Sequence, residues 1–331
     1  MTTISASQDS ASQDAATARL SIIIPADRPE TLRRMREALR AQTARDALEV
    51  VVVRWPAAWN DGPRLEDDGY ATVRVVDVPA GTTLPSGRAA GARAATTRHV
   101  FFAETHAYPR PDWAEAVLAV AESGRWQVVS SSFVNANPHG AVSWACFILD
   151  YGSYGDDLPA GEIDSAPIHK GTFLRADLLA FGERLPAALS SGDELPLTLQ
   201  ASGRRAYFEP RACIAHQNVP TLGLWLRGRY LIGFLIGANR TERWRPWRRA
   251  LYLVLAPLIA AALVWRIRPI VRRIGRVHPL PSGLWPAIVL GAVARAAGEA
   301  VAYARGHLPS VQARADEYEL FESVYVAGVA R

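Results

Sequence analysis

Short apolar runs alternate with segments of helical spacing along the first half of the chain. The apolar runs occupy residues 20–25, 48–55, 71–79, 99–104 and 126–134. Runs of this kind are typical of strands that are buried on both faces of a parallel sheet. The segments with helical spacing are residues 29–42, 86–97 and 111–123. Because strands that alternate with helices form right-handed β-α-β units, the pattern predicts an α/β fold with a mostly parallel sheet flanked by helices.

The chain between residues 150 and 216 is less regular. Residues 150–167 are rich in Gly, Asp, Tyr and Pro, a composition typical of a long loop that serves as a lid or binding loop. Residues 171–182 indicate a short helical unit, and residues 193–216 indicate a helix, a glycine turn and two strands ending at His216. We expect one domain to extend from residue 20 to residue 220.

The N-terminal residues 1–19 are rich in Ser, Ala, Gln and Asp, without the positive start or the apolar centre of a signal peptide. We expect this segment to be disordered. Both cysteines, Cys146 and Cys213, lie in apolar runs. Their placement predicts neither a disulfide framework nor a zinc site, and it favours a reducing compartment.

Residues 221–331 form a basic region that we expect to be helical. Arginines stand at both ends of the apolar segment 250–265, which is about sixteen residues long and contains Pro257. A spanning helix needs ~20 apolar residues and carries a positive bias at one end only. With the second apolar segment, 283–306, these features predict a membrane-associated helical hairpin on the cytoplasmic face of the cell membrane, peripheral or monotopic.

Two alternatives stay open for this region: a buried helical hairpin of a soluble domain, and a true membrane span. In the second segment, Arg295 and Glu299 stand four residues apart and form an i,i+4 pair on one helix face. No nucleic-acid partner is expected, because the arginines flank apolar helices and do not form an exposed groove interleaved with aromatic residues.

Glu104 and His106 stand two residues apart where the apolar run 99–104 ends. On an extended chain, side chains two residues apart point to the same side. Ligands of α/β sheets bind beyond the carboxyl ends of the strands. The sequence therefore predicts a binding site at this strand end, near the positions that follow Ile24 and Val53.

These motifs resemble those of family-2-type nucleotide-sugar glycosyltransferases with the GT-A fold, over roughly residues 20 to 220. "SIIIPADRPETLRRMREALRAQ" is similar to the family's first strand, Ile-Pro turn and first helix. In "GRAAGARAATTRHVFFAETH", Arg88 falls on the family arginine, and Glu104 and His106 fall on the two aspartates of Asp-x-Asp. "PRPDW" and "GRRAYFEPRACIAH" match the Pro-x-x-Trp turn and the closing strand that ends in His216. The resemblance implies a GT-A-like mixed, mostly parallel sheet.

The chain also departs from the family pattern. Arg54 and Trp55 stand where the family has acidic residues that hold the nucleoside, and Ser191-Gly192 stands in place of its Glu-Asp pair. Asp193 and Glu194 follow immediately. The Glu-x-His strand end and the segment "AGEAVAYARG" are similar to a variant branch with Glu-x-His at the sheet edge and a C-terminal Gly-Glu-x-x-x-Tyr segment.

The resemblance implies roles for these residues in glycosyl transfer. The reaction must stabilise the leaving diphosphate, remove a proton from the acceptor hydroxyl and hold the sugar in line. Asp193 or Glu194 is the candidate general base. The candidate residues for nucleotide and donor binding are Pro25, Asp27, Arg28, Arg88, Glu104 and His106.

Glu104, His106 and His216 form the candidate metal site. Carboxylates suit Mg²⁺ and Mn²⁺, and replacing one of them by imidazole favours Mn²⁺. In one alternative, His106 contacts the diphosphate directly together with Arg88 or Lys170, without a metal. In another, His106 only caps a loop.

These residues and the resemblance together predict an inverting glycosyltransferase of the hexosyl-transferring class. Its donor would be a nucleotide-sugar, and its acceptor a lipid or polysaccharide of the cell envelope. The alternative is a catalytically degenerate GT-A-like protein that binds a nucleotide-sugar or a partner without turnover. The altered strand ends and the missing Glu-Asp pair favour that alternative.

Overall fold

A computed structural model describes residues 4–5, 17–56, 59, 68–190, 194–242 and 244–326 of the 331 residues. The chain divides into two compact units. The first comprises Met1–Val134 and Tyr154–Ala215, and the second comprises Asn135–Ser153 and His216–Arg331. Most of the segment 1–19, which we expected to be disordered, lies outside the described residues.

One sheet forms the centre of the first unit. Its strands are β1 (Ile4–Ser5), β2 (Leu20–Ala26), β3 (Leu48–Arg54), β4 (Thr72–Asp77), β5 (His99–Phe102), β6 (Ala107–Pro109), β7 (Val128–Asn135), β8 (Gly161–Ile163), β9 (Gly171–Leu174) and β10 (Ala206–His216). Their order is β1-β4-β3-β2-β5-β9-β7-β10-β6, and β8 pairs with β10. The parallel pairs β2–β3, β3–β4 and β2–β5 have the longest registers, for example from Leu20–Leu48 to Ala26–Arg54. The predicted mixed, mostly parallel sheet is confirmed.

Helices flank this sheet. They are α1 (Leu32–Arg40), α2 (Leu84–Ala94), α3 (Trp113–Ala121), α5 (Arg175–Leu179), α6 (Leu185–Ala188) and α7 (Glu194–Ala201), whereas α4 (Ala141–Asp150) belongs to the second unit. Helix α2 lies close to the sheet because its residues are small. A Cβ added at Gly91 would lie 2.5 Å from Cγ2 of Ile23.

Strand β9 corrects one prediction from the sequence. Residues 171–182 do not form one helical unit, since Gly171–Leu174 is a strand and only Arg175–Leu179 is the helix α5. Strand β9 lies between β5 and β7 and runs antiparallel to both. The sheet provides backbone partners on both sides of this short segment, and these partners decide its conformation. Likewise, residues 206–216 form one long strand where we expected two.

A buried carboxylate connects the parallel strands. Glu49 on β3 has no exposed surface and accepts hydrogen bonds from the Ser21 hydroxyl on β2 and from Nε of Arg74 on β4, the latter at 2.6 Å. The backbone N–H and the hydroxyl of Thr96 also donate to it, each at 2.8 Å. Burial acts to raise the pKa of Glu49, but these hydrogen bonds outweigh burial, and the pKa is lowered.

The second unit is helical. In addition to α4 it contains α8 (Leu222–Thr241), α9 (Pro246–Val254), α10 (Ala256–Ile274), α11 (Leu284–Arg305), α12 (Pro309–Leu320) and α13 (Glu322–Val326). Helices α8 and α11 meet at glycines. A Cβ at Gly233 would overlap the carbonyl oxygen of Arg295, and a Cβ at Gly298 would overlap that of Tyr230. The two helix backbones are therefore in direct contact.

The Gly-Glu-x-x-x-Tyr segment lies at this helix contact. Glu299 is 1% exposed and accepts hydrogen bonds from Arg240 Nη1 at 2.8 Å and from the Tyr303 hydroxyl at 2.7 Å. Arg295 Nε approaches the same carboxylate at 3.3 Å. Gly298 thus allows the helices to touch, and Glu299 and Tyr303 connect α11 to Arg240 on α8.

Two features of the second unit satisfy length and composition criteria for membrane helices. Helix α11 is long and apolar enough to cross a membrane, although half of its apolar stretch is buried within the protein. Helices α9 and α10 satisfy the criteria only as a pair, and the pair is bent by 66°. The break falls at Leu255, while Pro257 lies in the first turn of α10. The predicted membrane association remains a prediction.

Candidate active site

Glu104, His106 and His216 meet at one point. One ligand atom from each residue, a carboxylate oxygen or a ring nitrogen, lies within 4.8 Å of the other two. Glu104 follows β5, His106 immediately precedes β6, and His216 is the last residue of β10. Both imidazoles are buried, and the carboxylate is half-buried. The structure therefore brings together the three side chains that the sequence predicted as a group.

The ring orientation of His216 is fixed by an amide network. Nδ1 of His216 lies 3.0 Å from Oδ1 of Asn218, and Nδ2 of Asn218 donates to Oδ1 of Asn135 at 3.0 Å. Because the amide nitrogen of Asn218 is used as a donor there, its oxygen accepts from Nδ1–H of His216. Nε2 of His216 then carries the lone pair, which is the arrangement of a metal-binding histidine. The ring of Tyr151 packs on the imidazole, with 4.0 Å between centroids.

Sequence reasoning missed this supporting network. Asn218 is fully buried, its backbone N–H donates to Oδ1 of Asn137 at 2.7 Å, and Nδ2 of Asn137 donates to its carbonyl oxygen at 2.8 Å. The hydroxyl of Ser143 donates to the carbonyl oxygen of Asn137 at 2.6 Å. A signal was present in the sequence, since Asn135 directly follows one predicted strand, and Asn137 and Asn218 lie within three residues of a predicted strand end.

The three potential metal ligands of the site suit a divalent cation. One carboxylate and two imidazoles are ligands that Mn²⁺ accepts, and a neighbouring amide orients one imidazole, as is usual for metal-binding histidines. The half-buried carboxylate supplies the single negative charge of the group. The residues present thus match the chemistry of a metal site with open positions.

The loop after β2 contains the predicted donor-binding residues. Pro25 is the penultimate residue of β2, and Asp27 and Arg28 follow the strand. Asp27 is 5% exposed and accepts a hydrogen bond from Arg28 Nε at 2.8 Å. Burial raises the pKa of Asp27, and the contact with Arg28 opposes this rise. The residues therefore stand at the carboxyl end of a central parallel strand, as the sequence predicted.

Neighbouring strand ends contain an ion pair. Arg54, the last residue of β3, pairs with Asp77, the last residue of β4. The guanidinium of Arg54 lies 5.7 Å from the ring centroid of Trp59, and Trp59 Nε1 donates to the carbonyl oxygen of Ala26 at 3.2 Å. An acidic side chain therefore stands at the end of β4, paired with the arginine that ends β3. Sequence reasoning missed Asp77 and Trp59.

The remaining predicted residues lie on helices. Arg88 is buried within α2. Glu194 is the first residue of α7, its side chain is 30% exposed, and it approaches Arg184 Nη1 at 3.4 Å. Asp193, the other candidate base, lies outside the described residues. Helix α7 packs beside α6, and α6 packs on α2, the helix that contains Arg88.

Comparisons with known proteins give low similarities. No family model and no curated protein matches the chain. Among solved structures, S. aureus TarS 1–349 in complex with UDP is 14% identical over 87% of this chain and 92% of that one, with a TM-score of 0.47. The same TarS fragment in complex with UDP-GlcNAc is 14% identical over 59% of this chain and 57% of that one, with a TM-score of 0.41. GalNAc-T7 with UDP, GalNAc and Mn²⁺ is 14% identical over 61% of this chain and 44% of that one, with a TM-score of 0.44.

The chain thus spans between 57% and 92% of the TarS fragment and less than half of GalNAc-T7. Likenesses with TM-scores below 0.5 carry no argument about activity.

Proposed function

We propose that this chain is an inverting glycosyltransferase that uses a nucleotide-sugar donor and a lipid-linked or polysaccharide acceptor of the cell envelope. The observation that supports this proposal is the convergence of Glu104, His106 and His216. The sequence places these residues at the ends of separate segments, and their ligand atoms lie within 4.8 Å of one another. In the resemblance to family-2-type enzymes, Glu104 and His106 fall on the positions of the two aspartates, and His216 falls on the histidine that ends the closing strand.

Glu104, His106 and His216 would hold a divalent cation, with Mn²⁺ favoured over Mg²⁺. Such a cation neutralises the charge that develops on a leaving diphosphate. Asn218 positions His216 by accepting its Nδ1 proton. Pro25, Asp27, Arg28 and Arg88 would form the donor site around this group.

A general base must remove the proton of the acceptor hydroxyl. Glu194, or its neighbour Asp193, would perform this step. The long 3.4 Å contact between Glu194 and Arg184, both partly exposed, is weak enough to be exchanged for a hydrogen bond to the acceptor.

Lys170 supports a metal-free variant of the same reaction. It is the only lysine in the sequence, although the chain has 37 basic residues. It is 5% exposed, and Nζ lies 4.6 Å from the ring centroid of Tyr154. Lys170 is the last residue of a short 3-10 helix, Ile168–Lys170, that directly precedes β9 and contacts β5, the strand that Glu104 follows. The compact ammonium group of Lys170 could neutralise the charge of a diphosphate at this edge of the sheet. The planar guanidinium of an arginine would not be equivalent to it.

Two measurements test the proposal. Electron paramagnetic resonance of added Mn²⁺ should show binding by the purified chain, reduced at least tenfold in Glu104→Gln and His216→Ala. Transfer or hydrolysis from a panel of nucleotide-sugars should then require Mn²⁺. Undiminished turnover in EDTA that is lost in Lys170→Arg would favour the metal-free variant. Donor binding without turnover for every donor would favour the degenerate binding protein.

A further inference from the structure

Exposed apolar residues concentrate in one part of the second unit. Among the described residues, fourteen large apolar side chains are exposed, and eleven of these lie between Trp247 and Val293. Val254 is 76% exposed, Leu258 62%, Trp247 65% and Trp265 68%. Exposed apolar residues that occur singly are normal, whereas a contiguous group marks an interaction surface.

The bent pair α9–α10 arranges these residues in a regular order around its break at Leu255. On α9, Trp247, Leu251 and Val254 follow one another at helical spacing on the exposed side. The opposite side of α9 packs inward, where Tyr252 lies 4.6 Å from Trp244 and 5.9 Å from Tyr303. The outer face of α9 is therefore apolar by sequence and not covered by the rest of its unit.

The same residue types occur on both sides of the break. The apolar side chains of Val254 and Leu258 flank Leu255, and each arm carries an exposed tryptophan with exposed arginines next to it. These arginines are Arg245 and Arg248 on one arm and Arg266, Arg268 and Arg272 on the other. No charged residue occurs from Ala250 to Trp265. Tryptophan prefers the membrane interface, and arginine binds anionic headgroups.

We propose that α9 and α10 form a wedge that enters a single leaflet of an anionic membrane. Val254 and Leu258 form the tip of this wedge, and both arginine groups stay on the same side of the membrane. At 1.5 Å per residue, the uncharged part of the first arm, from Ala250 to Leu255, is about 8 Å long, and that of the second, from Leu255 to Trp265, is about 15 Å long. With the 66° bend shared equally between the arms, the tip reaches roughly 4 Å below Ala250 and roughly 8 Å below Trp265. These depths are close to the ~5–10 Å typical of interfacial helices and far short of the ~30 Å hydrocarbon core.

Charge complementarity favours an anionic lipid surface over a second copy of this chain as the partner of this apolar surface. A second copy of this chain would bring arginines against arginines around the apolar tip. An anionic lipid surface accepts both the apolar tip and the arginines that surround it. The inference does not depend on the proposed enzymatic function, because vesicle binding requires neither donor nor turnover.

Vesicle sedimentation tests the wedge with the full chain. Binding to vesicles of phosphatidylcholine with 30% phosphatidylglycerol should be at least tenfold tighter than binding to phosphatidylcholine alone. The double variant Val254→Glu/Leu258→Glu should lose at least tenfold in affinity for the anionic vesicles. The matched control is Leu197→Glu, which changes a 51% exposed leucine of the first unit and should leave binding unchanged. Equal binding to both vesicle types, or full binding by the double variant, would overturn the proposal.

The position of the two arginine groups is tested separately. Arg245→Cys and Arg272→Cys, added to preformed vesicles, should both react with a membrane-impermeant maleimide applied outside. The unmodified chain supplies the background, because Cys146 and Cys213 are buried. Protection of only one of the introduced cysteines would mean that the pair crosses the membrane, which contradicts the wedge. This measurement does not depend on whether the glutamate variants fold.

Discussion

The two units of this protein treat their apolar residues in opposite ways. Among the described residues, only Leu197 is an exposed large apolar side chain of the first unit, while the second unit exposes thirteen. The first unit buries its strands on both faces and places polar side chains at the strand ends. The second unit leaves an apolar surface bordered by arginine. This difference is consistent with the proposed membrane contact of the second unit, which also contains His216 of the candidate site.

Buried carboxylates occur in both units, but they are surrounded differently. Glu49 and Glu299 are each saturated by hydrogen bonds from neighbouring side chains, so they hold strands or helices together. Glu104 is only half-buried and shares its site with two imidazoles. A buried carboxylate with all its hydrogen bonds made within the protein typically has a structural role. A carboxylate that lies beside two imidazoles at a strand end is a candidate for a functional role.

The largest expected effect is on transfer activity, and it should be independent of vesicle binding. Glu104→Gln should lower transfer at least about 100-fold, because one ligand and its charge are lost at the diphosphate. Its binding to anionic vesicles should equal that of the unchanged protein. Val254→Glu/Leu258→Glu should show the reverse, with normal turnover in detergent and weak vesicle binding. The control Glu162→Gln alters an exposed carboxylate on β8 and should change neither. Loss of both properties in either variant would contradict the separation of roles.

Glu49→Gln should destabilise the first unit by about 3 kcal/mol at pH 7, since it removes one partner of a buried ion pair. Folding lowers the pKa of Glu49 below its ordinary value of 4.5, so the carboxylate contributes stability above about pH 4.5 and loses it as pH falls through the folded pKa. The difference between the variant and the unchanged protein, measured by urea unfolding, should therefore shrink from pH 7 to pH 3.5. A constant difference across this range would reject the electrostatic explanation.

Gly233→Ala should destabilise the second unit by ~1–3 kcal/mol, because its Cβ would overlap the backbone of α11. Gly223→Ala, on the same helix α8, places a Cβ where no atom lies within 4 Å. The control should be neutral or slightly stabilising, since alanine favours helix. Thermal unfolding followed by circular dichroism compares the two variants. Equal melting temperatures would show that the helix contact is looser than described.

The smallest expected effect is at Asp27. Folding raises its pKa above the ordinary value of 3.8, so the unfolded chain loses this proton first as pH rises, and stability falls across that window. Asp27→Asn removes this cost and should slightly raise the urea midpoint at pH 7, by less than the change in Gly233→Ala. If Asp27 binds the donor, the variant should also bind nucleotide-sugar more weakly. A lower midpoint together with unchanged donor binding would make Asp27 a structural residue.

Much of the candidate site follows from the sequence because strand ends are local features. The apolar run 99–104 is enough to locate the strand end at which Glu104 and His106 stand, although the chain turns there and Ala107 N–H donates to the carbonyl oxygen of Glu104 at 3.0 Å. Strand β9 was missed because Gly171–Leu174 precedes a helical turn, and four residues do not outweigh that pattern. Asp77 was missed because its partner Arg54 comes from another strand, and cross-strand pairing is not visible in a single sequence.

The sequence by itself determined the alternation of strands and helices, the polar strand ends and the arginine borders of the apolar segment, since each depends on residues close together in the chain. Tertiary structure alone decided that Asn218 orients the ring of His216, and that α9 and α10 bend at Leu255 with an uncovered apolar face. These features depend on contacts between residues far apart in the chain, and the spacing of residue types does not contain that information.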